Sequence, residues 1–137
     1  MSKVCIVTGA SRGLGRGIAK VLAEERSATV YATARSEAAL NDLASSIKGN
    51  TGVIHPVVLD QSDDSAVEKF ITTVAEKEGR IDLLVNSAYG GLTAMTPHFG
   101  KPFWERPISV FDASIDIGLR SAFVSSAIVA PHMVSQK

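Results

Sequence analysis

The chain has 137 residues, about the size of one ordinary domain, and its 45% hydrophobic and 20% charged residues allow a buried core. That composition excludes disordered, collagen-like, coiled-coil and low-complexity proteins. Fourteen basic residues balance fourteen acidic ones, and this zero net charge argues against a general binder of nucleic acids or anionic membranes.

Strands and helices alternate along the first part of the chain. Four runs rich in β-branched and apolar residues are predicted as strands: residues 3–8 (KVCIVT), 28–34 (ATVYATA), 53–59 (VIHPVVL) and 81–85 (IDLLV). Three segments with apolar side chains at helical spacing are predicted as helices: residues 14–26, a segment capped by Ser36 that ends before Gly49, and a segment capped by Ser62 or Asp63 that ends at Gly79. Residues 86–107 are predicted to be irregular, and residues 108 to about 135 to form one long helix.

This alternation predicts a parallel sheet with helices on both faces, because right-handed crossovers place successive helices there. Pro56 lies inside the third predicted strand, and a proline cannot donate to a strand ladder, so that strand is expected at an edge. The doubly wound strand order 3-2-1-4 puts it at an edge as well. We therefore predict an α/β fold in one domain, residues 1–137, with four parallel strands in that order.

Residues 8–15 (TGASRGLG) join the first predicted strand to the first predicted helix, which is the context that a dinucleotide-binding turn needs. Gly9 allows a tight exit from the strand, Gly13 lets the backbone approach a pyrophosphate, and Gly15 lets the helix pack closely on the sheet. The positive end of the helix favours bound phosphate. The absence of a Gly-Lys-Ser/Thr sequence excludes a Walker-type loop. The predicted cofactor contacts in this turn are Gly9, Ser11, Arg12, Gly13, Leu14 and Gly15.

The run TGASRGLGRGIA resembles the TGxxxGxG motif of the short-chain dehydrogenase/reductases. Residues 86–89 (NSAY) are similar to the NNAG motif of that family, altered in two places, and residues 101–107 (KPFWERP) and 117–120 (IGLR) are similar to one of its branches. The resemblance covers essentially the whole chain. It implies a Rossmann-like doubly wound sheet, a nicotinamide cofactor and hydride transfer to or from a small carbonyl or alcohol substrate.

The resemblance also implies cofactor contacts outside the glycine turn. Asp60 stands at the end of the third strand, where the family's acidic residue contacts adenine, and Gln61 follows it. A role of Asp60 in starting the next helix stays open beside that one. Asn86 and Ala88 follow the fourth strand, beside the position expected for the nicotinamide ribose.

The residues after the second strand favour NADP over NAD. A site that prefers NAD carries an acidic residue about 20 positions past the glycines, on the ribose hydroxyls. Arg35 stands at that distance from Gly15, and a guanidinium there can pair with a 2′-phosphate, with Arg12 close enough to help. Glu37 keeps NAD open as the alternative, because its carboxylate can reach a ribose.

The resemblance implies a catalytic segment that these residues do not supply. The family uses a Ser and a Tyr-x-x-x-Lys pair for catalysis, but Tyr31 and Tyr89 have no Lys four residues later. Gly118 stands where the family has an Asn in a proton relay. Lys137 comes just where a fifth strand is expected to begin. We therefore expect the N-terminal half of a longer reductase, truncated after four strands, with no catalytic residue of its own.

Two functional hypotheses follow. The first is the cofactor-binding half of an NADP-linked oxidoreductase, and the second is a non-catalytic nucleotide-binding or regulatory module that pairs with a full-length relative. The long helix is apolar on several sides, so we expect a homo-oligomer to form through it. Cys5 is expected to be a small buried side chain. We expect a protein of the reducing cytoplasm with no secretory signal, no metal site, no nucleic-acid partner and no stretch long enough to span a bilayer.

Overall fold

A computed structural model of the chain describes residues 2–49 and 52–136. It contains one sheet of four parallel strands in the order β3-β2-β1-β4, so the predicted order is confirmed. The strands are β1 (Val4–Thr8), β2 (Thr29–Ala34), β3 (Val53–Val58) and β4 (Leu83–Val85). Pro56 lies opposite Ala32 in β3, at the edge where a missing N–H costs no ladder bond.

Six α-helices surround this sheet in the described part of the chain: α1 (Gly13–Arg26), α2 (Glu37–Ser45), α3 (Asp64–Glu78), α4 (Gly91–Met95), α5 (Ile108–Ser114) and α6 (Ser121–Ser135). Ser36 caps α2 as predicted, because its hydroxyl accepts from the N–H of Ala39. Of the two predicted caps of α3, Asp63 is the one used. Its carboxylate accepts from the N–H of Ala66 at 3.0 Å.

The second half of the chain differs from the prediction in two places. The segment 86–107 is not fully irregular, since it contains α4 and two short 3₁₀ turns, Thr96–His98 and Phe103–Glu105. The predicted single helix from 108 to 135 is interrupted by the π-helical segment Ile115–Arg120, which joins α5 to α6. Apolar spacing does not signal such a segment, because Ile115 and Leu119 keep the four-residue spacing of an α-helix.

The core consists of two layers, one on each face of the sheet. Leu40 and Leu43 of α2 pack with Val7 and Val30 on one face, together with the predicted buried side chain of Cys5. The other face packs against α3 and α6 and contains the nine buried residues Val4, Ile6, Tyr31, Leu59, Val67, Ile71, Val74, Ile81 and Val129. β1 is therefore buried on both faces, as a central parallel strand should be.

The helical stretch from Ile108 to Ser135 has 28 residues and is, by length and composition alone, apolar enough to cross a membrane. The expectation that no stretch is long enough to span a bilayer is therefore wrong. One face of α6 places Val129 in the core against α3, while Phe123 and Val134 on the same helix are exposed.

Asp82 joins the start of β4 to the start of β1. Its N–H donates to the Val4 carbonyl at 2.8 Å, and its Oδ2 accepts from the Val4 N–H at 2.8 Å. The carboxylate also pairs with Lys3 and Arg80. Burial alone would raise the pKa of Asp82, but the hydrogen bonds from Arg80, Val4 and Lys3 outweigh it and lower the pKa from 3.8 to about 2.

This pKa predicts a stability change in acid. Because the folded-state pKa lies below the unfolded value, the stabilisation is complete above about pH 4 and is lost as the pH falls towards 2. We expect the free energy of unfolding, measured by urea denaturation, to lose about 2 kcal/mol over this interval. Asp82→Asn should remove that component of the pH dependence, and Asp112→Asn, at an exposed position, should leave it unchanged. An identical pH dependence in wild type and Asp82→Asn would contradict the assignment.

Candidate functional site

The turn between β1 and α1 is held in a conformation that glycine alone accepts readily. Gly9 and Gly13 have positive φ angles of 64° and 56°. A Cβ on Gly9 would lie 2.6 Å from the Cα of Ala88, so the turn runs directly against the segment after β4. A Cβ on Gly15 would collide with the carbonyl oxygen of Gly9, which is why the first turn of α1 can lie so close to the strand end. The packing roles predicted for Gly9 and Gly15 agree with these contacts.

Gly13 differs from the other two glycines. A Cβ at this position would meet no described atom within 4 Å, so the backbone faces open space at the start of α1. The Arg12 side chain makes no capping hydrogen bond, and the first turn contains no acidic residue. Leu14 is 80% exposed beside it. The helix start therefore keeps backbone N–H donors and a positive partial charge directed at an open surface, which suits a phosphate.

Thr8 holds this turn to the segment after β4, a role that the sequence analysis missed. Its Oγ1 accepts hydrogen bonds from the backbone N–H groups of Ser87 and Ala88, each at 3.1 Å, and donates towards the carbonyl of Val85 at 3.4 Å. Thr8 itself is buried. A polar Thr at the end of an otherwise apolar strand was the available signal, because a buried hydroxyl requires partners.

The two arginines predicted to read a 2′-phosphate have different surroundings. Arg12 turns towards α4, where its Nη2 donates to Thr93 Oγ1 at 3.3 Å. Arg35 is exposed directly after β2, and in the described part of the chain its side chain has no hydrogen-bond or ion-pair partner. Among the described residues, the two arginines therefore share no hydrogen-bond partner. Glu37 lies in the first turn of α2, where its charge suits the positive end of that helix.

Asp60 begins the turn that leads into α3. Its Oδ1 accepts from the backbone N–H and the hydroxyl of Ser62, at 2.9 Å and 2.7 Å. These hydrogen bonds, assisted by the charge of Arg35, lower the pKa of the Asp60 carboxyl below its usual value. The side chain is exposed and ionised, and its Oδ2 remains available to a ligand. The role in helix initiation, left open above, is present in the structure.

Gln61 is buried, and its side chain is committed within the protein. Its Nε2 donates to Thr33 at 3.4 Å, and its Oε1 accepts from Ser125 of α6 at 3.2 Å. Because both polar atoms of the Gln61 side chain have partners, a cofactor would contact Gln61 through its main chain.

Arg120 forms two hydrogen bonds to Asp64, at 2.8 Å and 2.6 Å. These bonds connect the π-helical segment to the start of α3.

The segment after β4 brings Asn86, Ala88 and Tyr89 to the carboxyl ends of the strands. Asn86 donates to Ser126 of α6 at 3.1 Å, and Ala88 lies against the glycine turn. The Tyr89 ring packs on Gly118, where an added Cβ would lie 3.0 Å from the ring. Gly118, the residue that replaces the family's relay Asn, therefore makes room for Tyr89.

Comparisons with known proteins agree with this geometry. A model of the family described as short chain dehydrogenase matches residues 3–137. The chain is 43% identical over 133 residues to dehydrogenase/reductase SDR family member 1 of Mus musculus, covering 96% of this chain and 42% of that protein. It is 35% identical over 131 residues to 7alpha-hydroxysteroid dehydrogenase of Clostridium sardiniense, covering 96% of this chain and 48% of that protein.

A solved structure shares the fold as well. A metagenomic short-chain oxidoreductase, crystallised in complex with NADP, superposes with a TM-score of 0.83 at 33% identity, over 98% of this chain and 58% of that one. The predicted Rossmann-like sheet is therefore confirmed. The chain spans about half the length of the relatives that it matches.

The glycine packing predicts opposite effects at two neighbouring positions. Gly15→Ala should lower the free energy of unfolding by about 1–3 kcal/mol, because the added methyl group forces backbone atoms apart. Gly17→Ala should raise it by about 0.5–1 kcal/mol, because its Cβ meets open space and alanine favours the helix. Urea denaturation of both variants checks this, and equal effects would contradict the close approach of Gly15 to Gly9.

The hydroxyl of Thr8 can be tested with a pair of near-isosteric variants. Thr8→Val should lower the free energy of unfolding by about 1–3 kcal/mol, because the N–H groups of Ser87 and Ala88 lose their acceptor. Thr8→Ser keeps the acceptor and should retain most of the stability. Thermal and urea denaturation provide the measurement. If Thr8→Val is as stable as Thr8→Ser, the hydroxyl does not hold the two segments together.

Proposed function

The chain belongs to the short-chain dehydrogenase family, and from that premise we propose that it is the nucleotide-binding part of an NADP-linked oxidoreductase. The proposed reaction is hydride transfer between the cofactor and a small carbonyl or alcohol compound. The observation that carries this proposal is the open, positively polarised start of α1, where Gly13 leaves the backbone uncovered. A diphosphate needs such a surface, because backbone N–H groups must approach its oxygens closely.

The residues fit a dinucleotide along the carboxyl ends of the strands. The glycine turn and the start of α1 would hold the pyrophosphate, with Ser11 and Leu14 at its sides. Asp60 offers the free Oδ2 of an ionised carboxylate to the adenine amine. Asn86 and Ala88 lie beyond the turn, on the side where the nicotinamide ribose would bind.

NADP is proposed over NAD because of Arg35. Its guanidinium is exposed at the end of β2, and although the charge of Asp60 is nearby, no described side chain forms a hydrogen bond or a salt bridge with it. A 2′-phosphate can therefore form charge-assisted hydrogen bonds to it without breaking an existing contact. The similarity to a family member crystallised with NADP supports the same assignment. Glu37 is the residue that favours NAD, and it lies at the start of α2.

The nicotinamide cofactor, when bound, supplies the hydride chemistry. The residues of this chain would bind and orient the cofactor. The Thr8 hydroxyl fixes residues 87 and 88. Gln61 and Asn86 hold α6 at the strand ends through hydrogen bonds with Ser125 and Ser126. Neither Tyr31 nor Tyr89 is followed by a Lys at the fourth position, so we assign no proton donor within these residues. We propose that the 137-residue chain does not reduce a carbonyl by itself.

A second candidate function is a nucleotide-binding module that pairs with a full-length relative. The observation that favours it is the apolar outer surface of the helical stretch from Ile108 to Ser135, where Leu119, Phe123 and Val134 are mostly exposed. Exposed apolar side chains along one helical stretch suit a helix from another subunit. The same surface supports the proposed homo-oligomer.

Cofactor preference can be measured directly on the chain. NADP at 100 times its Kd should stabilise the fold by about 2.7 kcal/mol, and NAD at the same concentration should stabilise it less. Arg35→Met should weaken NADP binding about tenfold and leave NAD binding nearly unchanged, because a single charge-assisted contact is lost. Arg26→Met, an exposed arginine at the other end of α1, is the matched control. Equal shifts of the melting temperature by NADP and NAD would overturn the preference.

Pairing with a full-length relative separates the two candidate functions, because both predict no catalysis by the chain alone. The purified chain, mixed with NADPH and a panel of aldehydes and ketones, should show no oxidation of NADPH above the buffer rate. Carbonyl reduction by the chain alone would contradict the first proposal as stated. Co-purification with a full-length relative, together with a change in its activity, would favour the second candidate.

A further inference from the structure

A concave site lies away from the glycine turn, between α4, the turn Phe103–Glu105 and α5. It has a volume of about 350 Å³, within the range of small-molecule sites. Six apolar residues line it: Met95, Phe103, Pro107, Ile108, Val110 and Phe111. Arg106 and Ser114 are its two polar lining residues.

Arg106 brings a charge to this apolar wall. Its Nε donates to the carbonyl of Lys101 at 3.0 Å, and its Nη1 lies 3.6 Å from the sulfur of Met95. Across residues 2–49 and 52–136, Arg106 forms no salt bridge and its Nη2 has no hydrogen-bond partner. The guanidinium is therefore fixed in position and half-buried, with donor capacity left over.

We infer that this cavity binds a small amphipathic acid, with an apolar body against Phe103 and Phe111 and a carboxylate on Arg106. A planar guanidinium with unused donors is the group that pairs best with a carboxylate, and no acidic side chain lines the cavity to compete. A purely apolar occupant would cover the same wall but supply no anion to balance the half-buried positive charge, which costs free energy. The charge therefore selects an acid over a hydrocarbon or an apolar protein segment.

The cavity adjoins the nucleotide-facing edge of the sheet. Ser114 lines it, and the Ser114 hydroxyl lies 3.3 Å from the Tyr89 hydroxyl. Tyr89 directly follows Ala88, whose N–H bonds to Thr8. The inferred site shares no lining residue with the glycine turn, so it goes beyond the proposed function and does not depend on cofactor binding.

The test compares two ligands of equal chain length, sodium octanoate and uncharged octanamide, by isothermal titration calorimetry on the full chain. Octanoate should bind saturably and about tenfold more tightly than octanamide, because only the acid pairs with Arg106. Trp104, the one tryptophan of the chain, should report the same titration by fluorescence, since its ring centroid lies 5.3 Å from that of Phe103.

Two variants test whether the charge of Arg106 is responsible for the preference for the acid. Arg106→Met introduces an apolar side chain and should reduce octanoate affinity to the level of octanamide, with the NADP affinity unchanged. Arg106→Lys should retain part of the preference for the acid, and keeps the test valid if the Met variant is destabilised. Arg26→Met is the control and should bind octanoate as the wild type does.

Three outcomes would overturn the inference. Equal affinity for octanoate and octanamide would show that the charge does not select the ligand. Unchanged octanoate affinity in Arg106→Met and Arg106→Lys would place the acid elsewhere. Dimerisation in sedimentation velocity, together with no octanoate binding, would assign the apolar wall to a second copy of the chain. Each of these results is independent of whether NADP binds.

Discussion

The close approach of the glycine turn to the segment after β4 is the contact on which the candidate site depends. At Gly9 a side chain would collide with Ala88, and at Gly15 it would collide with Gly9 itself. The buried hydroxyl of Thr8 fastens the same two segments through the N–H groups of residues 87 and 88. Backbone packing and one hydroxyl thus fix the end of β1 against the end of β4.

This packing also produces the electrostatics of the site. Because the turn is tight, α1 begins directly at the strand end, and its first N–H groups lie at an open surface next to Gly13. No carboxylate in the first turn of the helix neutralises their partial charge. A phosphate can therefore bind the backbone itself.

The second half of the chain places an apolar surface next to the polar carboxyl ends of the strands. Tyr89 packs on Gly118 and lies within hydrogen-bond distance of Ser114, and beyond Ser114 the wall becomes apolar apart from Arg106. The polar strand ends and the apolar cavity are thus connected through one Tyr–Ser pair. The π-helical segment, tied by Arg120 to Asp64, sets the position of that pair relative to the sheet.

Sequence alone predicts the α/β class, the strand order, the edge position of β3 and the glycine turn, because these depend on local spacing and on the special backbone properties of proline and glycine. Pro56 and Gly9 are examples: proline fixes its own φ and lacks an N–H, and glycine accepts the positive φ that the turn requires. Contacts between distant segments follow from the packed fold and not from local sequence. Four features join residues that are far apart in the chain: the hydrogen bonds that Thr8 accepts, the burial of Gln61 between Thr33 and Ser125, the contact of Arg12 with Thr93, and the cavity around Arg106. Periodicity carries no information on such pairs, since it describes which way a side chain points and not which partner it meets.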